Sequence, residues 1–230
     1  MAIVKTTFTG QTLAAQKPEL LAYLQENAAD YFDAIEADEN GNISCYVGET
    51  VALLIGMDGT TTRQVTLANG QYIRMDPNAT SSGGTLPFKT IFSYAKKTTN
   101  GVLLVTEAGS LQNTNVGKAS FFIVKNELGD TCIVGHIQAT GSYSNTSTYF
   151  GADIINDSTI YNYISGISWA NRTQLSHSAP ATALTPAIFS GGHYAPKAYI
   201  ATFNQFALTE CDVNINGKSY ASDGVCVLSD

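Results

Sequence analysis

The chain has 230 residues, a formal net charge of −7 and only 13% charged side chains, about half the ~25% of an ordinary soluble domain. Excess acid excludes electrostatic docking on nucleic acid, which needs clustered Lys and Arg facing phosphates. No apolar run approaches the ~18 residues that would cross a bilayer as a helix, while a hydrophobic share of 44% suffices for the core of one large all-β domain or two smaller ones.

The opening segment, Met1-Ala2-Ile3-Val4-Lys5-Thr6-Thr7, has no long apolar core and no small-residue cleavage site, so no secretory signal is expected. Pro18 suits a first helical turn, and Leu21, Leu24, Ala28, Tyr31 and Ile35 follow at three-four spacing, with Glu26, Asp30, Asp33 and Glu36 mostly off that stripe. The pattern predicts one amphipathic helix over about 17–35, closed by Asn40-Gly41. Seven carboxylates and no base lie from Glu19 to Glu39. They read as a solvated helix face or, more sharply, as a docking surface for a basic partner.

Just beyond, Glu36, Asp38, Asn40 and Asn42 place oxygens at alternate positions, with Gly41 sixth and Ile43 eighth, the front half of an EF-hand calcium loop. The closing twelfth position is Val47 and Glu49 falls two residues late, so an acidic turn is the favoured reading. No metal and no cofactor is expected.

From there the signals are β. Asn69-Gly70 separates 63–67 from 71–75, Asn100-Gly101 separates 90–95 from 102–106, and Asn216-Gly217 separates 210–215 from 218–221. Asn-Gly is a strong hairpin signal because both residues accept the positive φ of a type I′ turn. A fourth hairpin joins 119–125 to 131–138 through Glu127-Leu128-Gly129-Asp130, and 51–57 reads as a buried strand. Segments 78–84 and 141–148 read as polar loops and 179–186 as extended coil. The expected fold is mainly β, an antiparallel β-sandwich or barrel-like meander with one N-terminal helix.

Only nine of the last hundred residues are charged: Asp153, Asp157, Arg172, Lys197, Glu210, Asp212, Lys218, Asp223 and Asp230. Charge density falls near residue 145, which suggests a docking domain over 1–145 and a polar-aromatic β region over 146–230, with a single domain as the alternative.

The residues that could carry chemistry are sparse. Cys45, Cys132, Cys211 and Cys226 are far apart, unlike zinc ligands, and read as reduced thiols; a bond between Cys211 and Cys226 across their hairpin stays open. His136 lies four residues after Cys132, ~13 Å along a strand, and His177 reads as a loop residue. His193 follows Gly191-Gly192, which suits a tight turn or a close ligand approach. Gly166-Ile167-Ser168-Trp169-Ala170 lacks the last glycine of a nucleophile elbow, and Asp153 and Asp157 are most simply turn residues. No catalytic cluster emerges, and an enzyme is not expected. Tyr143, Tyr149, Tyr161, Tyr163 and Trp169 lie among Asn, Ser and Thr, a composition suited to stacking on sugars. With His193 they form a candidate glycan site, against the plainer alternative that the rings pack a sheet or a subunit interface.

The acidic N-terminal helix, the Thr/Asn/Gly-rich β body and the ending 206–230, with its Asn216-Gly217 hairpin and final strand over 225–230, resemble the small structural proteins of tailed bacteriophages and prophages. The resemblance implies a non-enzymatic virion component made in the host cytoplasm and assembled as a homo-oligomer with other virion proteins. Its place would be the tail, baseplate or fibre region, or the capsid surface as a decoration. A host-attachment role through a surface glycan is the alternative. The likeness contains no motif that transfers a residue's role.

Overall fold

The structure, a computed structural model, describes residues 3–10, 13–56, 63–68, 70, 72–74, 92–106, 110–111, 118–138, 147–153, 183–189, 192–202, 211–215, 217–222 and 226–230. Among them the strands form three antiparallel sheets and no closed barrel. The central sheet runs β1 (Val4–Thr7), β7 (Phe92–Thr98), β8 (Gly101–Thr106), β10 (Lys118–Lys125), β11 (Thr131–Gln138) and β12 (Ser147–Asp153). A second sheet runs β2 (Ala34–Ala37), β3 (Ile43–Val47), β4 (Thr50–Ile55), β5 (Arg63–Leu67), β6 (Tyr72–Arg74) and β9 (Ser110–Leu111). The third is β13 (Ala183–Ile188), β14 (Tyr194–Thr202), β17 (Cys226–Ser229), β16 (Lys218–Ser222) and β15 (Cys211–Ile215).

The inner strands of the central sheet, β7, β8, β10 and β11, are buried on both faces. Every residue of β8 is buried, and its side chains alternate between two cores as a pleated strand requires. Val102 and Leu104 join Phe121, Ile123 and Ile133 in a core covered by the helix and the second sheet. Leu103 and Val105 join Phe122, Val124 and Val134 in a core covered by Ala187, Phe189, Ala198 and Leu228 of the third sheet. This double burial explains the apolar runs Val102-Leu103-Leu104-Val105 and Phe121-Phe122-Ile123-Val124, which lack the polar alternation of a half-exposed strand. A register shift between Phe92 and Tyr94 sends those two rings to opposite cores although they stand two residues apart. Past that bulge, the consecutive lysines Lys96 and Lys97 also point to opposite layers.

All four hairpins expected from the sequence are present, pairing β5 with β6, β7 with β8, β10 with β11 and β15 with β16. Two readings need correction. The helix α1 spans Leu13–Asn27, with Pro18 inside it rather than in its first turn. The chain then tightens into a 3-10 turn over Ala29–Tyr31 and turns extended at Phe32, so Ile35 lies in β2. The apolar spacing misled because the core-facing stripe continues across the break: Leu24, Ala28 and Tyr31 are buried in one core, with Leu21 and Ile35 packed against it. Asn27 Nδ2 donates to Tyr23 O at 3.0 Å, a side-chain competitor of the helix backbone at its last turn. Asn40-Gly41 accordingly turns the β2–β3 hairpin rather than ending a helix.

The second correction is the coil expected over 179–186, since β13 starts at Ala183. Pro186 is tolerated because β13 is an edge strand and the register shifts between Pro186 and Ala187, the two settings in which a strand proline forfeits no ladder bond. The register also separates Cys211 from Cys226. Cys211 pairs with Ser222, which pairs with Val227, so β16 lies between the two cysteine strands. Two strand spacings (~9.6 Å) exceed disulfide reach. Cys45 and Cys132 are buried, and burial pushes the Cys45 thiol up to about 12.

Candidate functional site

The richest polar geometry lies at one end of the central sheet, where the β7–β8 and β10–β11 turns emerge. Asn126 organises the second turn: its Oδ1 accepts from Leu128 N and Asp130 N, each at 2.9 Å, and Gly129 takes φ 90°. The turn holds Glu127 against the third sheet. Glu127 N donates to Tyr194 O at 3.0 Å, Tyr194 N donates to Glu127 Oε2 at 2.8 Å, and His193 Nδ1 lies 2.8 Å from Glu127 Oε1. An ionised carboxylate only accepts, so the imidazole proton on this side sits on Nδ1. Burial works to raise Glu127, but the Tyr194 backbone bond and His193 hold its carboxyl below the usual 4.5.

His193 thus has a partner and a structural task. Phe189 N donates to His193 O and Gly192 N to Phe189 O, with Gly192 at φ 90°, which makes the tight turn anticipated from the glycine pair. The neighbouring turn docks in the same way. Asn100 Nδ2 donates to Ser229 O and Ser229 Oγ at 3.1 Å, and Thr99 N to Asp230 Oδ1 at 3.1 Å.

On the opposite face of the same end, Tyr31 stands between two lysines. Lys97 Nζ is 5.2 Å and Lys125 Nζ 5.6 Å from its ring centroid, favourable cation–π placements. Lys97 donates to Asn27 O at 2.5 Å, and Lys125 to Thr131 Oγ1 at 3.1 Å. Thr131 Oγ1 donates to Tyr31 O. Burial, with Asp30 adding to it, pushes the Tyr31 hydroxyl up to about 12. Lys97 is lowered by burial, against the pull of Asp30. On the third-sheet face Lys96, 2% exposed, meets Asp212 at 2.7 Å.

The calcium-like letters resolve into a hairpin turn. Asp38 Oδ1 accepts from Asn40 N and Asn42 N at 2.8 Å, and its Oδ2 from Asn42 Nδ2 at 2.9 Å. Those bonds, the Asn42 backbone bond foremost, hold the Asp38 carboxyl below its usual value. Lys17 Nζ donates to Asn40 O at 3.0 Å and Asn42 Oδ1 at 2.7 Å. A lysine ammonium therefore takes the oxygens a cation would share, and Glu36 lies in β2. No group of three or more His, Cys, Asp or Glu side chains that could hold a metal occurs among the described residues.

Of the six glycan candidates, Tyr143, Tyr161, Tyr163 and Trp169 lie outside the described residues, as do Asp157, Gly166–Ala170 and His177. Tyr149 sits on β12 opposite His136, itself five residues beyond Thr131, ~17 Å along the sheet from the turn whose Glu127 holds His193. The structure does not bring these two together. What sequence reading missed is that Glu127 and Tyr194 stitch two sheets; the signal available was only a carboxylate at a hairpin tip.

No family model, no curated protein and no solved structure matches this chain.

Proposed function

We propose that this chain is a non-enzymatic structural component of a phage virion, assembled as an oligomer in the tail, baseplate or fibre region or on the capsid surface. The observation that carries the reading is architectural: three open antiparallel sheets stacked in layers, whose terminal strands among the described residues include β12 and β13, seven and six residues long. Terminal strands invite pairing with another chain and are a liability in a lone monomer, whereas neighbours in an assembly cover them. The low charge of the last hundred residues and the resemblance to tailed-phage structural proteins point the same way.

Quantitative mass spectrometry of density-purified particles from the virus or prophage that encodes the gene tests this. A fixed copy number per particle is expected, in the hundreds for a tube or capsid position and in the tens or fewer for a baseplate or fibre. Presence in the infected cell with absence from particles would sink the virion reading.

A further inference from the structure

The Asn-Gly pairs that close hairpins in this chain are also the dipeptides in which an asparagine side chain most readily reacts with its own backbone. The attacking atom is the glycine nitrogen, which no Cβ shields. Of the four pairs, Asn40-Gly41 and Asn100-Gly101 lie within the described residues, and the fold treats them oppositely. The Asn100 amide is tied down: its Nδ2 donates to Thr99 Oγ1 at 3.2 Å and to Ser229 O and Ser229 Oγ at 3.1 Å. Its glycine is buried in β8 and paired with Thr98. Asn40 is exposed. Its backbone N donates to Asp38 Oδ1 and its backbone O accepts from Lys17 Nζ, while among the described residues no hydrogen bond holds its side-chain amide.

We propose that Asn40-Gly41 is a site of spontaneous deamidation and that Lys17, reaching over from the helix, promotes it. Gly41 N gives its proton to hydroxide and attacks Asn40 Cγ. The Cγ–Nδ2 bond breaks, and Nδ2 leaves as ammonia with a proton taken from water. The cyclic imide then adds water at either carbonyl and opens to an aspartyl or an isoaspartyl residue. Water enters, ammonia leaves, and nothing is oxidised or reduced. The negative charge that develops on Gly41 N is shared with Asn40 O across the peptide bond, and Lys17 Nζ stands 3.0 Å from that oxygen. An ammonium beside a delocalised anion favours the anion. Asp38 opposes it, but both Asp38 oxygens already accept bonds from Asn40 N, Asn42 N and Asn42 Nδ2. Glu36 and Glu39 are exposed, where solvent and salt screen them. Ring closure gives up one bond, Gly41 N to Asp38 O at 2.9 Å, whereas Asn100 would surrender its three amide bonds. Both products add a carboxylate to the turn. The isoaspartyl form also carries an extra backbone methylene, which displaces the carbonyl that Lys17 holds and loosens the joint between the helix and the β2–β3 hairpin. The inference does not depend on the virion reading.

The test is peptide mapping by mass spectrometry of the full chain held in mildly alkaline buffer, with aspartyl and isoaspartyl peptides resolved by chromatography. Conversion at Asn40 is expected to outpace that at Asn100 at least tenfold, about what two further hydrogen bonds supply. In guanidinium chloride, where the fold is gone, the two sites should convert within a few-fold of each other. Lys17→Met keeps the side-chain stem and removes the charge; it should slow Asn40 at least threefold and leave Asn100 unchanged. Lys17→Arg should keep the wild-type rate. Folded protein in which Asn100 keeps pace with Asn40 overturns the site. So does the same rate ratio persisting in guanidinium, which traces it to local sequence alone. An Asn40 rate unchanged or raised in Lys17→Met overturns the role of Lys17. The folded-against-denatured comparison uses the wild type only, so it decides the site even where a variant fails to fold.

Discussion

Gln16 is a polar side chain with no exposure at all, and its amide does the work of a strand neighbour. Its Nε2 donates to Phe92 O and its Oε1 accepts from Phe92 N, both at 2.8 Å. Phe92 opens β7 just before the register shift, where the ladder to β8 is interrupted. The helix thus satisfies the backbone groups that the bulge leaves over. Gly10 permits this approach, since a Cβ there would lie 2.7 Å from Gln16 Cγ. Replacing Gln16 by Leu keeps the volume but strands a buried N–H and a buried C=O, each worth about 1–3 kcal/mol when unsatisfied. A loss of about 2–4 kcal/mol in urea unfolding is expected, and a loss below about 1 kcal/mol would show that water or backbone movement replaces the amide. Nothing in the sequence announced Gln16: a lone glutamine on an apolar stripe is read as solvent-facing, and only the tertiary bulge gives it a partner.

At the scale of elements, the Asn-Gly pairs located the hairpins, though not always for the reason assumed. Gly41, Gly70 and Gly217 do take positive φ, at 72°, 77° and 79°. Gly101 is not among the positive-φ glycines. It is buried, and a Cβ on it would meet Ile123 O at 2.6 Å, Val124 Cγ1 at 2.8 Å and Leu228 Cδ1 at 3.2 Å. Close approach of three strands from two sheets demands this glycine, while turn geometry demands Gly217. Ala substitutions separate the two causes. Gly217→Ala has open space around it and should cost about 1–2 kcal/mol, the left-handed backbone penalty. Gly101→Ala collides with a backbone carbonyl that cannot rotate away and should cost about 1–3 kcal/mol as overpacking, and it should also disturb the contact with β17. Amide chemical shifts decide the point: changes confined to the β7–β8 turn in Gly101→Ala would contradict the steric account. Local patterning reads element type well because turn chemistry and apolar runs are local. It misplaced the helix end because the core-facing stripe crosses the break at Asn27 without losing its period.

For the molecule as a whole, the question is whether the two cores are one cooperative unit. The sequence offers a boundary near residue 145, where charge thins out. In the structure, β12 begins at Ser147 and pairs with β11 along its length, and the third sheet covers a face of the central sheet built from residues before 145. Side-chain and backbone bonds from Thr99, Asn100 and Glu127 add polar joints between those layers. A fold-class reading sees antiparallel strands but not layer order, because each sheet's inner face carries the same apolar signal whichever neighbour covers it. The adjacent residues Leu103 and Leu104 separate the possibilities, since both are fully buried on β8 and point into different cores. Truncating either to Ala should cost about 2–5 kcal/mol. If the central sheet couples the layers, each variant shifts the same single calorimetric transition, with calorimetric and van't Hoff enthalpies in agreement. If the third sheet were a separate unit, Leu103→Ala would split off an early transition and Leu104→Ala would leave that component unmoved. The coupled outcome is expected, because every central strand that lines one core lines the other, and a β8 freed on one face would surrender its ladder bonds to β7 and β10 on both.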